Sequence, residues 1–296
     1  MSPNKKLAII IVNWKQYDLT KKCLISVSKV KFENYKIILV DNESNEKNLN
    51  LILNDFNNLK VIKNKSNLGF GVANNQAINY ALDENYDYVM LLNNDTEVDI
   101  NFISPLINKI EKNNSIGGVQ PLIMNYNNRD LIWSAGGYVN KFFGNTTTNK
   151  SLGKKLNLDW ITGCCMLLKI DVIKKTKLLD ENFFAYYEDV DWSIRIKDLG
   201  YTLELVDKSL VYHHGSVSSN NSSSEGKLSP YVHYLNFKNH IYFLRKHIEK
   251  FNLFGVILYQ LLKLIFYSIY FILRFRFKKF KMIFRGLIDG MKIKVS

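Results

Sequence analysis

The chain has 296 residues, 40 Lys+Arg against 27 Asp+Glu, 47% hydrophobic residues and three cysteines. Its 18 Phe, 17 Tyr and 4 Trp exclude a disordered chain, and its length allows one large domain or two small ones. The net charge of +13 resembles a nucleic-acid signature, but its distribution argues against one: Phe237–Ser296 holds 13 basic and 2 acidic residues, leaving residues 1–236 with 27 basic and 25 acidic.

A neutral body carrying a basic, intensely apolar tail points to an anionic membrane surface. Cys23, Cys164 and Cys165 form no C-x-x-C pair, so they support neither a disulfide framework nor a zinc site and fit a reducing cytosol. Lys5 and Lys6 lead directly into the short run Leu7–Val12, which reads as a strand and not as a signal peptide.

Along the first hundred residues, strand-length apolar runs at Leu7–Val12, Tyr35–Val40, Leu59–Ile62 and Tyr86–Leu92 alternate with helix-length stretches at Leu19–Val30, Asn48–Phe56 and Phe70–Leu82. That rhythm predicts a parallel sheet with helices on both faces. Gly118–Met124 and Trp160–Lys169 predict further strands of a mixed half, with a Gly/Asn/Thr-rich loop at Gly136–Lys155. A helix is expected at Tyr187–Leu199, a strand at Tyr201–Val206 and a Ser/Asn-rich loop at Ser216–Ser229.

In parallel sheets ligands bind beyond the carboxyl ends of the strands. Those exits are polar here: Asn13-Trp14, Asp41-Asn42-Glu43-Ser44, Lys65-Ser66-Asn67-Leu68-Gly69 and Asn93-Asn94-Asp95-Thr96. Such residues also make ordinary turns; the set of four on one rim is the signal. No G-x-x-x-x-G-K-[ST] loop is present, so a bound nucleotide needs another counter-charge, which a Mg²⁺ or Mn²⁺ ion on Asp95 would supply. Glu188, Asp189 and Asp191 open the later helix. The helix dipole favours acids there, Asp191 can reach Arg195 at i,i+4, and Glu188 or Asp189 remains as a general base. The His213-His214 pair after the last strand of the body offers a metal ligand or phosphate contact.

As an ordered set, V-N-W at Val12–Trp14, V-D-N-x-S at Val40–Ser44, N-L-G-F-G-x-A-N-N at Asn67–Asn75, L-L-N-N-D-T at Leu91–Thr96, Y-E-D-V-D-W-x-x-R at Tyr187–Arg195 and V-Y-H-H-G-S at Val211–Ser216 resembles the family 2 glycosyltransferases of GT-A fold, in particular the rhamnosyltransferase-like members that build bacterial O-antigen and other surface polysaccharides. The similarity spans about residues 6–240. It implies an α/β fold with a Rossmann-like nucleotide-binding half and a mixed central sheet flanked by helices, over residues 1–236, followed by a helical amphipathic tail over 237–296. It further implies an inverting, metal-dependent transfer from a nucleotide-diphosphate sugar to a glycan or polyprenyl-linked acceptor, with dTDP-rhamnose as the first donor and UDP-GlcNAc, UDP-galactose or UDP-galactofuranose as alternatives. Asp41 would bind the nucleobase, with Asn13, Asn67, Gly69, Asn74 and Asn94 around the nucleotide. Asp95 would hold the metal, and Asn93 stands where the family has the first Asp of its D-x-D. Asp189 would be the base, with Glu188 as the alternative and Asp191 orienting the site. Trp192 would face a sugar, Gly163 would lie beside the donor sugar, and His213 would touch the metal or diphosphate, with His214 as the fallback.

Leu253–Leu273 is long and apolar enough to span a bilayer. Gln260, Lys263, Tyr267, Tyr270 and Arg274 form one polar stripe along it, however, and both flanks are basic, so the expectation is a helix lying in the interface with its cations at anionic headgroups. The protein is then expected to be cytoplasmic and peripheral on the inner membrane face; the competing use of the same helix is a homodimer contact. Three other functions are weighed. A sugar-phosphate nucleotidyltransferase would open with a Gly-rich loop, which Asn13–Tyr17 lacks; a nucleic-acid binder would not need the tail's apolar content. A degenerate scaffold would fit Asn93 but not the intact acidic cluster.

Overall fold

The structure, a computed structural model, describes residues 5–153, 157–215 and 228–295. Ser216 of the last motif, most of the Ser/Asn-rich loop and the Lys154–Lys155 end of the Gly136–Lys155 loop lie outside these. The chain divides into two compact units: Met1–Tyr138 with Thr148–Phe184 and Glu188–Gly215, and Val139–Thr147 with Ala185–Tyr187 and Ser216–Ser296.

Up to His213 the chain runs β1 (Leu7–Asn13), α1 (Tyr17–Val27), β2 (Tyr35–Asn42), α2 (Glu46–Leu53), β3 (Lys60–Asn64), α3 (Phe70–Asp83), β4 (Tyr88–Leu92), β5 (Thr96–Val98), α4 (Ile103–Lys112), β6 (Ile116–Asn125), β7 (Ile132–Ser134), a short hairpin of β8 (Gly137–Val139) and β9 (Thr146–Thr148), β10 (Cys165–Lys169), α5 (Ile170–Thr176), α6 (Glu188–Asp198) and β11 (Thr202–His213). The main sheet has the order β3-β2-β1-β4-β10-β6-β11-β5, with β7 on β6. Strands β1 to β4 are mutually parallel, whereas β10 is antiparallel to both β4 and β6, and β5 to β11. The expected parallel half and mixed half are both present.

Both faces of the parallel half are covered, which is why its strands read as unbroken apolar runs. Leu7, Ile9 and Ile11 of β1 face Cys23, Leu24 and Val27 of α1 and Leu106 and Ile110 of α4. Ala8 and Ile10 face Ala73, Ala77, Ile78 and Ala81 of α3 and, in the same cluster, Ile196 of α6.

Two expected strands differ from the observed ones. Only Cys165–Lys169 of the run Trp160–Lys169 is strand; Trp160 makes an isolated bridge to Gly137, and the chain turns through Thr162 and Gly163 first. Strand β11 extends seven residues past Val206 to His213, across a register shift between Val206 and Leu210 that its polar Asp207-Lys208-Ser209 accommodates.

The second unit contains α7 (Pro230–Lys246), α8 (Leu253–Leu273) and α9 (Phe277–Lys292). The expected boundary at 236/237 falls inside α7, which starts at Pro230 behind a Ser229 cap on Val232 N. Helix α9 lies against α7 through Gly286 and Gly290, where an added Cβ would stand 2.5 Å from Tyr234 O and 2.4 Å from Lys238 O. Arg245 Nη1 donates to Gly290 O (3.0 Å) and Ile293 O (2.7 Å), closing the carboxyl end of α9.

Gln260, Lys263 and Tyr267 of the α8 stripe turn inward, a correction to their expected place toward lipid headgroups, whereas Tyr270 and Arg274 stay exposed. Gln260 Nε2 and Lys263 Nζ lie 3.3 and 3.0 Å from His240 Nδ1 of α7, Tyr267 packs edge-on to Phe237, and Lys279 of the basic flank is buried. Burial pushes the His240 pKa down to about 3 and that of Lys263 down to about 8. His240 is therefore a neutral ring that donates from Nε2 to Gly144 O (3.0 Å) and accepts from Lys263 at Nδ1. Asn239 Nδ2 donates to Ala185 O (2.7 Å) and Tyr186 O (3.0 Å), and the Tyr187 ring stacks on His240. These contacts hold Tyr186 and Tyr187 at φ of 73° and 74°, a conformation rare outside glycine.

Candidate active site

The parallel register pairs Asn13 with Asp41 across the carboxyl ends of β1 and β2. Asn13 Nδ2 donates to Asp41 Oδ1 (2.7 Å) and Tyr17 OH donates to Asp41 Oδ2 (3.0 Å). Thr20 Oγ1 donates to Asn13 Oδ1 (2.9 Å), and Asn94 Nδ2 donates to Thr20 Oγ1 (2.9 Å). Asn13 and Asp41 are both 0% exposed, which corrects their expected place on the pocket surface. Trp14 and Tyr17, at the same strand exit, are half-buried aromatic side chains. Tyr17, whose hydroxyl also accepts from Asn45 N (2.8 Å), is not legible in the sequence as a site residue, because only the fold brings a helix tyrosine to Asp41.

The Asn67–Gly69 turn is pinned to the exit of β2. Asn42 Nδ2 donates to Asn67 Oδ1 (2.8 Å), Asn42 Oδ1 accepts from Leu68 N (3.0 Å), and Gly69 N donates to Asn67 Oδ1 (2.9 Å). Gly69 has φ of +88°, and a Cβ there would stand 2.6 Å from Phe184 O. Asn74, expected beside the nucleotide, is buried and donates to Phe70 O of its own helix (2.9 Å), so it stabilises α3 instead.

Beyond β4, Asn93 N donates to Cys164 O (2.8 Å) and Asn93 O accepts from Thr96 Oγ1 (2.6 Å), fixing the backbone of the N-N-D segment. The antiparallel pairing of Thr96 with His213 then sets Asp95 beside that histidine. Asp95 Oδ1 and His213 Nε2 are 3.2 Å apart, and both residues are buried. His213 Nδ1 is buried without a hydrogen-bond partner among the described residues. His214 faces elsewhere, toward Glu97 Oε1 (3.3 Å) and stacked on Tyr126.

Among the described residues no group of three or more His, Cys, Asp or Glu gathers as a metal cage. A carboxylate and an imidazole side by side do suit Mn²⁺ or Mg²⁺ at a substrate site, where most ligands come from phosphate and water. All three thiols are buried, and burial pushes their pKa up, which removes them as metal or nucleophilic candidates.

The antiparallel β10 starts at the same rim, with Cys165 opposite Leu92 at the carboxyl end of β4, so the turn before it meets the start of α6. Gly163 N donates to Asp189 Oδ2 (2.9 Å), and Val190 N donates to Asp189 Oδ1 (2.8 Å). Burial raises the Asp189 pKa while these N–H groups and the Thr162 hydroxyl oppose the rise. Glu188 is buried more completely, with Oε2 lacking a partner among the described residues, and burial followed by the Asp189 charge raises its pKa well above the carboxylate range. Asp191 is 0% exposed and bound to Arg195 Nε (2.9 Å) as its spacing predicts; Arg195 also donates to Thr176 O and Leu178 O. Of the three acids Asp189 alone is more than slightly accessible.

Trp192 requires correction. It is fully buried in the core against α3 and β10, with Nε1 donating to Lys177 O (3.0 Å), and it faces no sugar. Its helical position one turn from Glu188 points it into the sheet.

The chain is similar in structure to GalNAc-T7 solved with UDP, GalNAc and Mn²⁺ (TM-score 0.64, 19% identity, covering 83% of this chain and 48% of that one). It also resembles the mannosyltransferase PcManGT of Pyrobaculum calidifontis in complex with GDP-Man and Mn²⁺ (TM-score 0.56, 10% identity, 83% and 66%). The architecture is thus that of a GT-A transferase. The family model "Glycosyl transferase family 2" matches residues 8–176, and the chain belongs to that family. The low-salt glycan biosynthesis hexosyltransferase Agl10 of Haloferax volcanii is 29% identical over 195 residues, 64% of this chain and 61% of that relative. The N-acetylglucosaminyl-diphospho-decaprenol L-rhamnosyltransferase of Mycobacterium tuberculosis is 23% identical over 237 residues, 72% of this chain and 77% of that relative.

Proposed function

We propose that this family 2 glycosyltransferase moves a hexosyl unit, L-rhamnose from dTDP-rhamnose in the first instance, onto a hydroxyl of a glycan or polyprenyl-linked glycan, inverting the anomeric centre. The observation that carries the reading is the meeting of Asp95 with His213 and of Asp189 with Gly163 along one rim of the sheet. The rhamnosyl donor and lipid-linked acceptor are suggested by the mycobacterial relative, which this chain matches over most of its length.

Each residue then has a separate task. The buried Asn13 and Asp41 brace Tyr17 at the nucleoside end of the site, and the Asn67–Gly69 turn borders it. Asp95 and His213 would hold a Mg²⁺ or Mn²⁺ ion, which neutralises the departing diphosphate when bound. Asp189, held in place by Gly163 N, Val190 N and the Thr162 hydroxyl, accepts the proton of the acceptor hydroxyl. Glu188 is the weaker candidate, because burial and the neighbouring charge disfavour its ionised form. Gly163 leaves the space between Asp189 and the Phe70 ring open; a Cβ there would stand 3.3 Å from that ring. Calorimetric titration of dTDP- and UDP-sugars into wild type and Asp95→Ala, with Mn²⁺ and with EDTA, tests the assignment. Metal-dependent binding in the wild type alone is expected, and equal donor affinity in the variant contradicts it.

A further inference from the structure

The outer face of α8 is apolar along its whole length. Every exposed residue from Leu253 to Leu273 is aliphatic or aromatic, and Gln260, Lys263 and Ser268 are turned in toward the rest of the second unit. Leu258, Leu262, Ile265, Phe266, Ile269 and Leu273 are between 37% and 72% exposed. A soluble helix shows the opposite arrangement, with its polar stripe toward water. At 1.5 Å per residue the stripe is roughly 30 Å long, and a contiguous exposed apolar surface marks a site of contact with another body. At its carboxyl end Phe275 and Phe277 are exposed, beside the exposed cations Arg274 and Lys281.

We infer that this face is a docking surface for a bilayer containing anionic lipid, with α8 lying in the plane of one leaflet. Charge selects the occupant. Phe237–Ser296 carries 13 basic and 2 acidic residues, so two copies joined face to face would bring like charges together, whereas anionic headgroups neutralise them. Geometry selects the in-plane arrangement. The exposed apolar residues of α8 lie on one side, Gln260 and Lys263 on the other side lie at His240 of α7, and α9 keeps Lys278, Lys281 and Arg285 exposed, so among the described residues no apolar ring surrounds the bundle. The surface does not depend on which donor the enzyme uses, and losing it would leave the donor-site assignments standing.

Flotation of the full chain with phosphatidylcholine vesicles, with and without phosphatidylglycerol, tests the proposal. Binding is expected with phosphatidylglycerol and is expected to fall by about tenfold or more in Leu262→Glu/Phe266→Glu, two exposed positions whose change leaves donor binding and the melting midpoint unaltered. Arg274→Ala/Lys281→Ala should lose roughly 30-fold, about fivefold per cation, and only with the anionic vesicles. Absence of flotation, equal flotation of the Glu variant, or equal binding to both vesicle types would overturn the proposal. So would a sedimenting dimer that the Glu variant splits without any vesicle binding. A second measurement uses Phe266→Trp: quenching by shallow spin-labelled lipid should exceed quenching by a label near the bilayer centre, and the reverse order would mean a span.

Discussion

Replacing Asp189 by Asn separates the chemical role of this carboxylate from its structural one. Both of its oxygens accept a main-chain N–H, from Gly163 at 2.9 Å and from Val190 at 2.8 Å. An amide has one oxygen, so one of the two N–H groups would face an NH₂ group. Loss of one hydrogen bond to a charged acceptor costs about 2 kcal/mol of stability. With a typical stability of about 5–15 kcal/mol, the variant would still be almost wholly folded at 25 °C. Loss of the base is a different quantity: about 10²–10⁴ in turnover, or roughly 3–5 kcal/mol of barrier. The assay is turnover at saturating donor and acceptor, alongside calorimetric donor affinity and a denaturant midpoint. The expected result is a turnover loss of at least about a hundredfold with donor affinity kept and a modest midpoint shift. Turnover within a few-fold of wild type, or a full loss in Glu188→Gln with Asp189→Asn still active, would refute the assignment.

Three further outcomes follow from the same geometry. Gly69→Ala must place a side chain at φ of +88° against the Phe184 carbonyl that accepts from Phe70 N (2.7 Å), and a denaturant midpoint should report a loss of about 2–3 kcal/mol with weakened donor binding. Glu188 has a folded-state pKa raised above 4.5, so ionising it disfavours the folded form: its contribution is full below pH 4.5 and is lost as pH rises through the folded value. Glu188→Gln should therefore melt at a higher temperature than wild type at pH 7, with the advantage gone at pH 4; an identical shift at both pH values contradicts this. Gly290→Val would force a branched side chain onto Lys238 O, and the second unit should lose about 2 kcal/mol or more in urea unfolding while Asn13 and Asp41 are untouched.

What the sequence displays, and what it hides, divides along physical lines. The parallel half is legible because strands covered on both faces are continuous apolar runs ending in polar exits, and Asn13, Asp41 and Asp95 all fall at such exits. Helix α8 is legible to its end residues because little that is polar interrupts the apolar run beyond its own stripe and Ser268. Periodicity shows which residues of that stripe share a face but not which way the face turns, so Lys263 reads as a headgroup contact and instead lies against His240. Helix α5 is invisible at its start: the strand residues of β10 pass into Ile170 with no turn residue between them, since the chain changes direction at Lys169 itself. Trp192 carries the same motif context as Asp189, and only three-dimensional placement separates a core tryptophan from an accessible carboxylate. Tyr17, Thr20 and Thr162 act through hydrogen bonds to residues distant in sequence, which no local pattern encodes.

The most direct test of the account is release of nucleoside diphosphate from a panel of dTDP-, UDP- and GDP-sugars by the purified chain, measured with Mn²⁺ and with EDTA. The account predicts slow release from one nucleotide series, dependent on the metal and abolished in Asp95→Ala. Release that persists in EDTA or in the variant, or no release and no binding across the whole panel, would contradict it.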